Sequence, residues 1–296
     1  MTDRWSLAIH GGAGLIQRRW LRPEQERAYR AALSNAIATG ASLLSAGGAA
    51  LDCVEAVICV MEDDPLFNAG RGAVCTADGH AELDASIMDG RTLAAGAVAG
   101  VTHTRHPITL ARRVMEESVH VMLGAPGVNA YAKLAGLEQV AAEWFHTQEA
   151  LAHREDKFGT VGAAALDRFG NVAAGTSSGG TSGKRSGRIG DSPIVGAGTY
   201  AANASCAVSA TGSGEHLLRI AAAHEVCALV EHKQLRLQAA VDEVIQRRLA
   251  ALEAAGGLIA VAPDGQIAWS FNTSGMYRAR IGSDHPLQVG LYGDDP

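Results

Sequence analysis

The chain has 296 residues and a formal net charge of −6, with 47% hydrophobic and 19% charged residues. The net charge is mild, and arginine pairs such as 18–19 and 247–248 are isolated along the chain. These two features exclude a basic nucleic-acid-binding surface. No apolar run reaches the roughly 18 residues of a membrane span. The 35 glycines and many alanines favour a tightly packed, layered fold in which backbones approach closely.

The cysteines indicate a reducing compartment. The five residues are odd in number and scattered, and no CxxC pair occurs. We therefore expect reduced, mostly buried thiols in a cytoplasmic protein. The first residues lead directly into a predicted strand and lack the apolar segment of a signal peptide, which agrees with this expectation.

The first half of the chain mixes predicted strands and helices. Residues 5–10 form a strand that ends in a glycine pair, and a proline begins the helix predicted over 23–47. A second helix is predicted over 51–61 from its stripe of apolar residues. The further predicted elements are a hairpin over 73–88 with its turn at 78–79, a strand over 93–99 and a helix from 107.

Two polar residues in this half are candidates for chemistry. His10 could be a base or a metal ligand, although a histidine at a strand end before two glycines is more often a hydrogen-bonded structural residue. Asp84 could be a second catalytic carboxylate, or it could satisfy buried backbone groups near a sheet. The sequence leaves both alternatives open.

The second half begins with a polar segment over 145–159, the one candidate linker inside the chain. A hairpin follows, with strands over 161–166 and 172–176. The remaining predicted elements are strands at 194–197 and 206–210, helices after 214 and over 237–252, and strands at 258–262, 267–271 and 276–281. Strands and helices mixed in this way, with antiparallel hairpins in both halves, predict an α+β fold.

The pair Gly159-Thr160 stands where the polar segment meets the buried strand. Taken alone, it could be an ordinary loop glycine before a strand threonine. A threonine hydroxyl is a poor nucleophile at neutral pH and needs an adjacent base. Cleavage before Thr160 would free its α-amine, whose pKa of about 7.7–8.0 suits a general base. Glycine at 159 would leave the hydroxyl unobstructed in an attack on the preceding carbonyl.

Glycine-rich motifs throughout the chain give this pair a context. They lie at 10–14, 65–70, 82–90, 176–180, 187–193, 196–201, 210–215, 256–260 and 271–278. Each motif alone is weak evidence, but the whole set in this order resembles the plant-type L-asparaginase/isoaspartyl (β-aspartyl) peptidase family of N-terminal-nucleophile hydrolases. The resemblance extends over nearly the whole chain.

The resemblance implies a fold and a maturation step. The expected fold is a four-layer αββα sandwich with two stacked, mainly antiparallel sheets. Residues 1–296 would form a single domain that cleaves itself between Gly159 and Thr160. The products would be an α subunit of residues 1–159, ending in a mobile linker at 145–159, and a β subunit of residues 160–296.

The resemblance also implies catalytic roles. Thr160 would supply both nucleophile and base, and Ser178 would set its geometry. The Thr211 hydroxyl and the Gly212 backbone N–H would form the oxyanion hole. The family usually has a threonine where this chain has Ser178, which keeps the hydroxyl and loses the methyl group that restricts its rotamer. We therefore expect hydrolysis to persist and the rate of self-cleavage to be affected first.

Substrate binding follows from the same resemblance. Arg188 would hold the substrate α-carboxylate with its forked guanidinium, and Asp191 would hold the α-ammonium group. Gly214 would contact the ammonium through its backbone, and Asn68 would help to orient the nucleophile loop. The alternative is that Arg188 and Asp191 simply pair with each other at the surface.

A loop over 62–72 would hold a structural sodium ion in this family, largely through backbone carbonyls. The corresponding ligands here are Met61, Glu62, Asp64, Phe67, Ala69 and Arg71. From the sequence alone, the acidic run at 62–64 would merely be a solvated charge run, since nothing in its spacing demands a cation. Catalysis itself would need no cofactor.

The implied function is hydrolysis of β-aspartyl dipeptides and of the L-asparagine side-chain amide, through an aspartyl ester on Thr160. The protein would assemble as a dimer of αβ heterodimers, without nucleic-acid or membrane partners. One alternative is a glycosylasparaginase-like amidase, although that branch usually has aspartate where this chain has Gly159. Another is an uncleaved, non-catalytic homologue that binds an amino acid.

Overall fold

The computed structural model describes residues 4–145, 147 and 159–295. The expected mobile linker at 145–159 lies almost wholly outside these described residues. The strands are β1 (Ser6–Gly14), β2 (Leu83–Asp89), β3 (Ala95–Val101), β4 (Met122–Gly124), β5 (Val161–Leu166), β6 (Val172–Ser178), β7 (Thr199–Ala201), β8 (Ala207–Gly212), β9 (Gly256–Val261), β10 (Ile267–Phe271), β11 (Gly275–Gly282) and β12 (His285–Tyr292).

Helices are interspersed among these strands along the chain. They are α1 (Pro23–Ser45), α2 (Ala50–Asp63), α3 (Pro107–Glu117), α4 (Gly127–Leu134), α5 (Gly214–Arg219), α6 (Ala222–Lys233) and α7 (Leu237–Asp242). The last helix continues through a wider π turn at Glu243–Leu249 and a 3-10 turn at Ala250–Leu252, and short 3-10 turns lie at Gly70–Gly72 and Ala142–Phe145. Nowhere in the described ranges is a helix long and apolar enough to cross a membrane.

The strands form two sheets. The larger sheet has the order β12-β11-β1-β5-β6-β2-β3-β4, and the smaller one has the order β10-β9-β8-β7. Neighbouring strands are antiparallel except for the parallel pair of β3 and β4. The predicted hairpin after residue 160 is confirmed as β5 and β6, at the centre of the larger sheet.

The alternation of side chains along the strands builds four layers. On β1, Leu7 and Ile9 pack among apolar residues of α1, α2 and α3, whereas Ala8 faces the other sheet. On β8, Val208 faces α6 and α7 on the far side of the smaller sheet, and Ala207 faces inward. Helices therefore cover the outer face of each sheet, which confirms the αββα sandwich.

Small residues let the two sheets approach closely below the start of β5. The layer between them contains alanines from β1, β5, β6 and β8. Gly162 on β5 faces Ser209 of β8 and the imidazole of His10, and a Cβ added there would overlap both side chains. Because Gly162 has no side chain, the strand that begins at residue 161 can lie close against the smaller sheet.

Two predicted β elements are wrong. Residues 73–77 do not pair with β2, because the Val74 N–H donates to the Asn68 side chain and the Ala77 N–H donates to the Lys184 carbonyl. Residues 194–197 form a tight turn, in which the Gly198 N–H donates to the carbonyls of Asp191 and Ile194. Both segments use their backbone groups to brace a glycine-rich loop and form no regular strand.

A substitution at Gly162 tests the close approach of the sheets. We expect Gly162→Ala to lower the free energy of unfolding by about 1–3 kcal/mol, because the added methyl group overpacks the interface. Urea unfolding measures this change. Gly124→Ala on β4 is the matched control, since a Cβ there has no neighbour within 4 Å. Equal stability of the two variants would contradict the close approach.

Candidate active site

A cavity of about 490 Å³ opens where the centre of the larger sheet meets the end of β8. Its size is in the range of small-molecule sites. It brings together seven of the residues predicted from the sequence: Gly159, Thr160, Ser178, Arg188, Asp191, Thr211 and Gly212. Gly214 and Asn68, the other two predicted residues of the site, are not among the residues that line it.

Thr160 lies at the end of the central hairpin. The antiparallel pairing of Val161 with Ser177 places Thr160 opposite Ser178. The Thr160 hydroxyl donates a hydrogen bond to Ser178 Oγ at 3.0 Å, and the Gly180 N–H donates to the same oxygen at 2.9 Å. The hydroxyl of the candidate nucleophile is therefore fixed by a neighbouring strand.

Gly159 has a backbone conformation that other residues rarely adopt, with φ at +154°. A Cβ at this position would lie 2.8 Å from the Gly11 carbonyl oxygen. Both the dihedral angle and the crowding thus require glycine immediately before Thr160.

Thr211 and Gly212 close the opposite wall at the end of β8. Thr211 is fully buried, and its hydroxyl oxygen has no hydrogen-bond partner among the described residues. Gly212 has φ at +136°, and a Cβ there would lie 2.5 Å from the Ala255 carbonyl oxygen. An unpartnered hydroxyl that lines a cavity is available to a bound group.

Arg188 and Asp191 present opposite charges to the cavity without pairing with each other in the described structure. Arg188 Nε and Nη2 each lie 2.9 Å from Glu215 Oε1. Asp191 is 4% exposed, and its Oδ2 has no partner among the described residues. Burial raises the pKa of Asp191 to about 7, against the opposing effects of hydrogen bonding to its own backbone and of Arg188.

Gly214 explains how these two charged groups fit beside α5. A Cβ at this position would lie 2.8 Å from Arg188 Nη2 and 2.9 Å from Asp191 Oδ1. Glycine therefore lets both side chains lie against the helix backbone.

Asn68 braces the loop behind the nucleophile. Its Nδ2 donates to the Gly180 carbonyl at 2.7 Å, and its Oδ1 accepts the Val74 N–H at 3.0 Å. Its backbone carbonyl accepts the Gly179 N–H at 3.0 Å. Asn68 is thus placed to position the Ser178–Gly180 segment and does not line the cavity.

Asp84 lines the site near the charge of Lys184, a proximity that the sequence did not indicate. Asp84 lines the cavity and accepts the Gly100 N–H at 3.0 Å, as expected for a residue that satisfies buried backbone groups. Burial raises its pKa, and the nearby charge of Lys184 opposes that shift. Lys184 Nζ donates to the Glu82 carbonyl at 2.6 Å. The only signal was a lysine inside the glycine-rich run 179–190.

His10 has a structural role, the more common of its alternatives. It is fully buried, and its Nε2 lies 2.9 Å from Ser209 Oγ. Burial lowers its pKa to about 3, so the ring is neutral at physiological pH. It packs beneath the strand that follows Thr160, where Gly162 is its antiparallel partner.

The loop predicted to hold sodium curls back on itself. The carbonyl oxygens of Glu62 and Phe67 face Gly70 and Gly72, where any Cβ would overlap them. The Met61 and Ala69 carbonyls accept backbone hydrogen bonds of 3.3 and 3.1 Å within the same loop. Carbonyl oxygens are the type of ligand that hard cations prefer, and the sodium site stays a prediction.

Comparison with known proteins identifies the family of this chain. The family model described as asparaginase matches residues 3–154 and 148–291. A protein from Salmonella typhimurium named isoaspartyl peptidase is 48% identical over 97% of this chain and 98% of its own. One of the same name from Escherichia coli is 48% identical over 97% of this chain and 95% of its own.

A plant relative shows the same match. A probable isoaspartyl peptidase/L-asparaginase from Arabidopsis thaliana is 38% identical over 97% of this chain and 99% of its own. The resemblance seen in the motifs thus holds across the described fold, and the chain belongs to the asparaginase family of hydrolases.

Proposed function

We propose that this protein is a threonine-nucleophile isoaspartyl peptidase and L-asparaginase. The observation that carries the proposal is the convergence of three groups on one cavity: the held hydroxyl of Thr160, the unpartnered hydroxyl of Thr211, and the opposite charges of Arg188 and Asp191. The names of the relatives support the same substrates.

Maturation would begin with attack of the Thr160 hydroxyl on the Gly159 carbonyl. The peptide C–N bond breaks as an ester forms, and the hydroxyl proton passes to the departing nitrogen. Water then hydrolyses the ester, which leaves a carboxylate on Gly159 and a free α-amine on Thr160. The conformation and crowding at Gly159 support this site of cleavage, because no other residue fits there.

Hydrolysis would use the same hydroxyl with the new amine as its base. The amine takes the hydroxyl proton while the oxygen attacks the β-carbonyl of the substrate, and it then delivers that proton to the leaving amine or ammonia. The Thr211 hydroxyl and the Gly212 N–H would stabilise the oxyanion. Water releases aspartate from the ester and regenerates Thr160.

The charges of the cavity select the substrate. Arg188 would hold the α-carboxylate, exchanging some of its contact with the exposed Glu215 side chain for the substrate. Asp191 would pair with the α-ammonium group, which supplies a partner for its buried Oδ2. A small cavity with both charges fits an aspartyl donor. It places little restriction on the chemistry of the leaving group.

The alternatives make different demands on the site. A glycosylasparaginase would require room for a sugar on the leaving side, and aspartate is expected before its nucleophile, where this chain has Gly159. A non-catalytic amino-acid-binding protein would need the two charges of Arg188 and Asp191 but would not need glycine at 159. The restriction at Gly159 favours the enzyme.

Three further properties belong to this proposal. The loop of Met61–Arg71 carbonyls would hold a structural sodium ion, and catalysis would use no cofactor. The cleaved chains would assemble as a dimer of αβ heterodimers. The scattered cysteines support a cytoplasmic setting.

Replacement of the nucleophile tests the reaction. The native protein should release leucine from β-Asp-Leu and ammonia from asparagine, and Thr160→Ala should lower both rates by at least about 10³-fold. Thr39→Ala, at a half-buried position of α1 that does not line the cavity, is the matched control and should retain full activity. Undiminished hydrolysis by Thr160→Ala would refute the assigned nucleophile.

Asp191 should make the binding of amino-acid head groups depend on pH. Because burial raises its pKa to about 7, the carboxylate is lost as the pH falls through that value. L-Aspartate should therefore bind about tenfold more weakly at pH 6 than at pH 8. Isothermal titration measures this change, and L-malate, with a hydroxyl in place of the ammonium group, should not show it.

The free amine of Thr160 cannot produce the same trend. Its protonation at low pH would attract the second carboxylate of either ligand and strengthen binding. The assigned role of Asp191 fails if aspartate and malate share one pH dependence.

A further inference from the structure

We propose that Cys59, Glu62 and His106 form a binding site for a divalent transition-metal ion of the Zn²⁺ type. One sulfur, one carboxylate oxygen and one ring nitrogen from these residues all lie within 4.8 Å of one another. A modest adjustment of side chains brings three such atoms to the separations of a tetrahedral site. These ligands are side chains, whereas the sodium ion predicted for the neighbouring loop would be held by backbone carbonyls.

The local fold brings these side chains together. Cys59 and Glu62 are three residues apart on α2 and so share one face of that helix. His106 immediately precedes α3. Glu62 Oε1 accepts the Ile108 N–H at 3.1 Å, which ties the end of α2 to the beginning of α3.

An unpartnered carboxylate oxygen points to a missing ligand. Glu62 is fully buried, and its Oε1 accepts hydrogen bonds from Ser177 Oγ at 2.6 Å and from Ile108. Its Oε2 has no partner among the described residues. A buried carboxylate oxygen left without a partner is costly, and a cation would satisfy it.

The charges around the site match a divalent ion. Asp63 is neutralised by Arg105, whose Nε and Nη2 donate to it at 2.9 and 3.0 Å. Glu62 and the thiolate of Cys59 then supply two negative charges. Burial raises the pKa of Glu62 to about 8 and also raises that of the Cys59 thiol, so binding would release a proton from each of them to solvent.

The donor types favour zinc-like metals over sodium or magnesium. Thiolate sulfur and imidazole nitrogen are ligands of Zn²⁺ and similar ions, whereas hard cations prefer oxygen. Asp63 Oδ1 lies 3.0 Å from His106 Nε2, and a carboxylate that fixes the ring is a usual companion of a metal-binding histidine. A bound ion would join α2 and α3 and, through Ser177, the end of β6.

The purified, chelator-treated protein provides the first test. Isothermal titration with Zn²⁺ should show one ion bound per chain, and Co²⁺ should produce the absorption band of a cobalt–thiolate bond. This readout needs no variant and no activity. Absence of both signals from the native protein would overturn the proposal.

Variants then locate the ion. Cys59→Ala should abolish the cobalt–thiolate band, and both Cys59→Ala and His106→Gln should weaken Zn²⁺ binding by at least about tenfold. The matched controls are Cys75→Ala and His103→Gln, which remove the same residue types outside the cluster and should bind as the native protein does. Melting curves without metal verify that each variant is folded. Native-like binding by folded Cys59→Ala and His106→Gln would also overturn the proposal.

Discussion

The pairing of β5 with β6 at the centre of the larger sheet is the constraint on which the site depends. It places Thr160 opposite Ser178 and fixes the nucleophilic hydroxyl through one 3.0 Å hydrogen bond. On the same face, two residues further along, Gly162 lets the smaller sheet come close enough for Thr211 to line the same cavity. The nucleophile and the group facing it thus belong to different sheets, and their separation is set by packing.

Burial gives the cavity its electrostatic character. Asp191 is desolvated enough for its pKa to rise to about 7, while Arg188 lies beside the exposed carboxylate of Glu215. A zwitterionic head group would supply the ammonium that Asp191 lacks and the carboxylate that Arg188 can bind. Polar groups whose partners are incomplete in the free protein are a usual feature of binding sites.

The sequence predicted much of the architecture because periodicity and turn residues determine it locally. The hairpin after Thr160 and the helices begun by prolines were predicted within a few residues. The predicted hairpin at 73–88 is wrong, because the Val74 N–H is satisfied by Asn68, six residues away, and the Ala77 N–H by the distant Lys184 carbonyl. Neither contact is encoded by the local pattern of strand and turn residues.

The residues of the site also divide into those that local sequence motifs predict and those that depend on contacts between distant segments. The motifs contain most of the predicted residues that line the cavity. The partner of Arg188 and the proximity of the Lys184 charge to Asp84, in contrast, depend on how loops meet in three dimensions. The cluster of Cys59, Glu62 and His106 joins two helices more than forty residues apart in the chain, so spacing gave no sign of it.

The central claim is that Thr160 becomes an N-terminal nucleophile, and intact-mass spectrometry after incubation at neutral pH tests it most directly. The account predicts two masses, those of residues 1–159 and 160–296. A single uncut mass that persists, or a cut at another bond, would contradict it.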